Sequence, residues 1–476
     1  MDAELPILLA LSAVIALAGV LTARTTSLRL GWAAAGPFLL VAATPLIPNY
    51  SVLAGFSLDD VLPLTGVLLM IPLLPWRSIR GSPRQLVPGP AIALLGIVLM
   101  ILAGAVSALL NGSEAADLIR LAIRGSGRLL FLLAVAVSAA TLGASPLARR
   151  FSAHAIALVG TFEAAFGLVA YFVGLPLQAG LEAVIKSSVL YGAVPGRISG
   201  TIGNSPNFTG ALFIITTLIT AGLALQALER RTSIVWWLAV IGQLAALTLT
   251  YSRVSLGLTV IGLGVLVLLR RRAILLLPVG AVLIAVAAFT PMVSRLLGDA
   301  QNRLALWTSG LLLMIDHPVA GVGPGQMLEA VAADPDRYRF TPLGSAWSTA
   351  HNTVLLAGAE TGVLGAIGAI LLNLGLAVIV IRAFLSAPQG PAGSLPVAAA
   401  LGLGGFLAQG MVNNLLTVGV TGVFAAFLLG SQLLTLGSTE RGDARREGHP
   451  WPGRLAWRRH PPKQTGVRLG EHGGGV

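Results

Sequence analysis

The chain has 476 residues, 55% of them hydrophobic and 11% charged, with a mean hydropathy of +0.85, so its apolar stretches cannot all be hidden inside soluble cores. It contains no cysteine, and its six His show no metal-ligand spacing, which excludes disulfides, thiolate zinc sites and cysteine nucleophiles and leaves no metal as the expectation. The net charge of +12 sits in short Arg clusters between apolar spans and reads as a topology signal, with no nucleic-acid partner expected.

A helix needs about 20 apolar residues to cross the hydrocarbon core. By that rule the chain offers about 12–13 transmembrane helices, at 5–22, 30–47, 60–76, 89–110, 118–143, 154–174, 208–227, 234–250, 254–269, 273–291, 353–383, 395–415 and 418–436. Met1-Asp2-Ala3-Glu4 leads directly into an apolar run with no basic n-region, so the first segment is expected to stay. If it only skims the interface, the count is twelve. The connections sort by charge: Arg24/Arg29, Arg77/Arg80/Arg84, Arg149/Arg150, Arg230/Arg231, Arg270/Arg271/Arg272 and Arg382 fall on alternate loops, which the positive-inside rule makes cytoplasmic. The other loops carry Asp59, Asp60, Glu114 and Asp117 and include the two long connections, 175–207 and 292–352, which therefore face outward. Two regions follow, a transmembrane bundle over 1–436 and a basic cytoplasmic tail over 437–476 whose Arg, Gly and Pro content reads as disordered. The expected location is the bacterial inner (cytoplasmic) membrane, with membrane lipid as the first partner and the working face extracytoplasmic.

Four outward clusters place polar side chains at membrane borders beside glycines. Gly196-Arg197 to Asn204-Ser205-Pro206-Asn207 suits an irregular turn that brings donors to an anion. Thr250-Tyr251-Ser252-Arg253 is a short hairpin that holds Arg253 at the lipid surface. Asn302-Arg303 opens an apolar helix that ends in Asp316-His317-Pro318 and Gly321, Gly323 and Gly325. Finally, His351-Asn352 precedes Glu360-Thr361-Gly362 and Gly365 at the mouth of span eleven.

These four clusters, in this order over 190–370, resemble the O-antigen ligase and O-antigen polymerase superfamily; His351-Asn352 with Gly362 and Gly365 resembles its most characteristic motif. The resemblance implies an all-α polytopic membrane protein with a GT-C-like helical bundle and an extracytoplasmic loop cap. It also implies a metal-independent inverting glycosyltransferase that takes an undecaprenyl-pyrophosphate-linked oligosaccharide as donor and needs no cofactor.

The residues fit that chemistry. Departure of the leaving group releases a pyrophosphate at the membrane surface, and Arg gives bidentate phosphate contacts; Arg197, Arg253 and Arg303 are the candidates, with Asn204, Asn207 and Asn352 as further donors. The acceptor hydroxyl must lose a proton, and His351 is the candidate base. His317 reads instead as a helix-end cap. Arg303 could also snorkel beside Trp307. Arg120, Arg124 and Arg128 are spaced four apart, on one helical face that could guide a pyrophosphate or lie against headgroups. Glu163, deep in span six, is expected to be paired or protonated, and Glu360 to orient an Arg or the acceptor.

Polymerase and ligase differ in the acceptor, a second lipid-linked repeat against a lipid core or protein, and the polymerase is preferred because it needs no specialised acceptor. A chain-length regulator or a flippase is a plausible partner. The rival of another class is a secondary transporter or glycan flippase, which would be expected to show repeats and interrupted helices at the midplane.

Overall fold

The computed structural model describes residues 51–53, 56–57, 88–112, 114–143, 146–173, 197–198, 206–269, 295–338, 349–388, 390–415 and 419–433. The expected spans 5–22, 30–47, 60–76 and 273–291 lie outside the described residues, as do Asn204 and the tail. The chain divides into two units, Met1–Leu436 and Gly437–Val476.

The protein is an all-α polytopic membrane protein. Apart from a two-stranded ribbon, β1 (Ser51–Leu53) with β2 (Phe56–Ser57), the described elements are helices. These are α1 (Pro88–Asn111), α2 (Ala115–Ala122), α3 (Arg128–Gly143), α4 (Pro146–Val173), α5 (Pro206–Gln226), α6 (Arg230–Leu249) and α7 (Arg253–Leu269). They continue with α8 (Arg295–Asp316), α9 (Met327–Ala333), α10 (Pro335–Tyr338), α11 (Thr353–Leu385), α12 (Ser394–Gly410) and α13 (Gly419–Leu428). Six described helices, 88–111, 149–169, 206–226, 230–249, 353–385 and 391–410, are long and apolar enough to cross a membrane, and 253–269 and 421–433 are shorter apolar helices.

Burial explains the arrangement. α5 is buried at every residue from Thr209 to Leu225, the pattern of a helix surrounded by others, and α4, α6, α7 and α12 pack around it. Leu94, Leu102, Ile234, Leu238, Ile370, Leu374 and Ile381 are exposed, as lipid-facing residues of a bundle must be. With lipid as solvent, close packing replaces the hydrophobic effect as the force between helices, and small residues allow it. α1 lies on α11 in this way: a Cβ at Gly96 would come within 2.6 Å of the Gly368 carbonyl, and one at Gly368 within 2.7 Å of Met100. Inside the bundle, Gln243 of α6 donates to Thr220 at 3.0 Å and Thr161 at 3.2 Å and accepts from Thr217 at 3.3 Å, tying α4, α5 and α6 through buried polar groups.

Two expected spans are interrupted. Span five consists of α2 and α3 joined by a π-helical turn over Ile123–Gly127. An extra residue in that turn breaks the spacing that would have put Arg120, Arg124 and Arg128 on one face. Arg120 instead pairs with Asp117 at 2.8 Å on the exposed α2. In span eleven, Thr361 (φ −133°, ψ 16°) and Gly362 (φ 75°, ψ −172°) leave helical geometry, so α11 is broken within its first ten residues.

Candidate active site

The site is built around the start of α11. Asn352 is its N-cap: the side-chain oxygen accepts from the N–H groups of Val354 at 2.9 Å and Leu355 at 3.1 Å, satisfying donors that no helix turn can reach. The same side chain donates through Nδ2 to the Met411 carbonyl at 2.9 Å, and Thr353 donates to the Gly410 carbonyl at 3.0 Å. The start of α11 is thus fastened to the end of α12. Asn352 therefore has a structural task that occupies both ends of its amide.

His351 sits immediately before this cap with φ 47°. For a non-glycine residue this left-handed backbone is strained. Among the described residues the other non-glycine with positive φ is Tyr251 at 54°, in the short hairpin before Arg253, so both such residues fall in the clusters singled out from the sequence. The His351 Nδ1 lies 3.4 Å from Oδ1 of Asn413, just past the end of α12. Burial pushes the imidazole pKa down to about 4; the Asn413 contact works against that shift and the Arg303 charge adds to it. His351 is accordingly neutral and able to accept a proton at physiological pH.

Arg303, on α8, donates to the Val412 carbonyl at 3.2 Å. α8 thereby brings its guanidinium to the segment 411–413 that also receives His351 and Asn352, so the structure gathers Arg303, His351, Asn352 and Asn413 from α8, α11 and the end of α12. Asn413 carries no sequence signal beyond a polar pair, Asn413-Asn414, closing an apolar span.

Arg197 donates to the Thr250 carbonyl at 2.8 Å and the Ile198 N–H to the Leu249 carbonyl at 3.0 Å. The end of the first long loop is in this way held on the hairpin that leads to Arg253. Next to it, Ser252 and Ser255 share a hydrogen bond of 2.8 Å, and a Cβ at Gly210 would meet the Ser252 side chain at 2.7 Å. Asn207 lies in the first turn of α5, on the same side of the bundle as this hairpin.

A second polar cluster forms where α11 breaks. The turn 318–323 lies alongside the break: Val322 donates to Ala359 at 2.9 Å, Gly323 to Glu360 at 3.0 Å and Val363 to Pro318 at 2.8 Å. Ser107 of α1 also donates to the Glu360 carbonyl, at 2.9 Å, so the carbonyls that the break frees are satisfied, as buried backbone groups must be. The Glu360 carboxyl accepts from the Gly325 N–H and has Arg128 and Arg124 as cationic neighbours. Arg124 and Arg128 are thus drawn toward Glu360, whereas Arg120 is not. Glu163 is fully buried on α4, in the bundle.

Above α11, α8, α9 and α10 enclose a small core of Leu313, Met327, Tyr338, Ala350, Leu356 and Ala359. Its polar tie is Asp316, which accepts from Arg337 Nε and from the Tyr338 hydroxyl, each at 2.7 Å. Residues 238–370, which hold the hairpin, α8, the turn 318–325 and the start of α11, match the family described as O-antigen ligase. Over this stretch the chain is similar to the O-antigen ligase family. The match spans three of the four clusters; the Arg197 cluster lies outside it. The match points toward O-antigen ligase- or polymerase-type activity in glycan assembly for this multi-pass membrane protein. A comparison with curated proteins gave no match.

Proposed function

We propose that this chain is a metal-independent, inverting glycosyltransferase of the cytoplasmic membrane. It moves an undecaprenyl-pyrophosphate-linked oligosaccharide onto an acceptor hydroxyl on the extracytoplasmic side and so polymerises surface polysaccharide repeats. The observation that carries this reading is the placing of a half-buried His351 and the Arg303 cation on one segment, 412–413, just past the end of α12. In the step it performs, His351 takes the proton of the acceptor hydroxyl as the oxygen bonds to the anomeric carbon. The bond from that carbon to the pyrophosphate oxygen breaks, and the leaving group departs with the electron pair. Attack from the face opposite the leaving group inverts the carbon. Arg303, with Arg253 at the hairpin and Arg197 docked on it, would neutralise the released pyrophosphate, since Arg matches phosphate oxygens two at a time. Asn207, and Asn204 by its place in the sequence, would add donors. A chain-length regulator and a flippase would be the natural protein partners.

A ligase with a lipid-core or protein acceptor uses the same donor machinery and is the nearest alternative. The broken α11 is a feature that a transporter or flippase would share. It lies nine residues from the start of a helix of 33, near one end of the bundle and not at its middle, which favours surface chemistry over transport.

The test is glycan length on gels from cells lacking the protein and rescued with wild type or His351→Ala at equal membrane abundance. Long glycan with wild type and short lipid-linked repeats with the variant support the transferase; full rescue by His351→Ala contradicts it. A ladder of repeats missing from the deletion marks a polymerase, and long but unligated polymer marks a ligase.

A further inference from the structure

The end of α12 carries three carboxamides, Gln409, Asn413 and Asn414, and all three are buried. Asn413 is 1% exposed. Its Oδ1 lies 3.4 Å from Nδ1 of His351, and its Nδ2 has no hydrogen-bond partner among the described residues. Two more buried polar atoms without such a partner, Oε1 of Gln409 and Nε1 of Trp307, sit four residues from Asn413 and from Arg303 in sequence. A buried donor left unsatisfied destabilises the fold, and its presence asks what it meets when the site is in use.

A neutral imidazole has one N–H and one bare nitrogen, and the partner of the first decides which nitrogen is basic. A carboxamide oxygen only accepts. Facing Nδ1, it selects the tautomer with the proton on Nδ1 and leaves Nε2 bare. The strained backbone of His351, the Asn352 cap and the Thr353 bond to Gly410 hold the imidazole and the carboxamide in register. The charged group facing His351 from α8 is Arg303, which repels a second proton on the ring; α12 and its end present carboxamides there.

We propose that Asn413 is a positioning residue for His351: its Oδ1 fixes the tautomer whose Nε2 takes the hydroxyl proton, and its Nδ2 receives an oxygen of the carbohydrate that carries that hydroxyl. The proposal rests on the reading of His351 as the base. It extends that reading by naming the residue that orients the base and gives the acceptor sugar a hydrogen-bond donor inside the site.

The experiment uses full-length protein in lipid nanodiscs, labelled with 15N in its histidine rings, with the His351 signals identified by their loss in His351→Ala. In wild type the proton resides on Nδ1 at neutral pH. Asn413→Asp keeps it there and raises the titration midpoint, because a carboxylate replaces the amide oxygen. Asn413→Leu mixes the two tautomers and lowers glycan transfer in membranes at least roughly tenfold, the lower end of what losing an imidazole's hydrogen-bond partner costs. A proton on Nε2 in wild type, or a tautomer and midpoint that neither variant alters, overturns the proposal. If Asn413→Leu fails to insert, the midpoint of Asn413→Asp decides alone. Full transfer by His351→Ala would strike down the base assignment itself and with it this proposal, whereas an inactive His351→Ala with an unmoved tautomer in Asn413→Leu and an unmoved midpoint in Asn413→Asp overturns the role of Asn413 only.

Discussion

The backbone N–H of Val363 donates to the carbonyl of Pro318 at 2.8 Å, joining a turn to the interior of a helix 45 positions further along the chain. Such a bond is open only because α11 abandons helical geometry at Thr361 and Gly362. The turn supplies N–H groups to the carbonyls of Ala359 and Glu360. The same turn puts the Gly325 N–H on the Glu360 carboxyl beside Arg124 and Arg128. The break is therefore a joint between the turn 318–325, the arginine-bearing π-turn and the helix that begins at the His351 site.

Gly362→Ala tests this joint. The residue has φ +75° and a Cβ there would stand 2.5 Å from the Pro318 carbonyl oxygen, so both backbone strain and a clash with main chain oppose the change. Left-handed strain alone is worth about 1–3 kcal/mol. The purified variant should unfold at a lower temperature than wild type, while Gly264→Ala, whose Cβ would meet nothing within 4 Å, should not. Equal unfolding temperatures for Gly362→Ala and wild type would refute the joint.

The depressed pKa of His351 sets a pH dependence. A base works when deprotonated, so transfer should hold level as pH falls past 6.5 and decline only near the folded value of about 4. Stability follows the same sign: the unfolded imidazole gains its proton at about 6.5, the folded one near 4, so the contribution is complete above 6.5 and is lost as pH falls toward 4. Arg303→Gln removes a cation and should move the acid limb of the rate profile upward, although burial, the larger cause, remains. Initial rates in membrane vesicles across this range measure it. A limb centred at 6.5 in wild type would show an imidazole in water.

Asp316 makes the packing of α9 and α10 on α8, the cap, a separate test. Hydrogen bonds from Arg337 and then Tyr338 hold its carboxyl below the usual carboxylate range. That tie is present above the ordinary carboxylate pKa and is lost as pH falls through the lower folded value, so at neutral pH it is fully formed. Asp316→Asn should open 327–338 to limited proteolysis in intact vesicles and leave the transmembrane helices protected. Arg337→Lys should do so less, since Tyr338 keeps its bond. Unchanged cleavage in Asp316→Asn would mean the apolar core around Met327 and Leu356 holds the cap alone.

Much of the bundle is legible in the sequence because lipid imposes a simple rule. A span must be apolar for about 20 residues, and 88–111, 206–226, 230–249 and 353–385 stand where the apolar runs put them. The breaks are less legible. Gly362 is visible as a motif glycine, yet nothing local says that Pro318 and Val322 will take up the freed bonds. The π-turn at Ile123–Gly127 defeats a count by fours, because it depends on the close approach of Gly104 to Ser126 and of Gly125 to Pro324. At the site, the polarity of His351, Arg303 and Asn352 against apolar surroundings makes them readable. Asn413 is not readable: its meaning comes from a contact 62 positions away.

The most direct measurement follows the leaving group. Full-length protein in vesicles is supplied with the lipid-linked glycan extracted from the deletion cells, and free undecaprenyl pyrophosphate and glycan length are followed together by mass spectrometry. The account predicts that wild type releases one undecaprenyl pyrophosphate for each glycosidic bond formed, in the presence of a metal chelator, and that His351→Ala and Arg303→Ala do not. Glycan that crosses the bilayer with no release of undecaprenyl pyrophosphate would contradict it and make this protein a transporter.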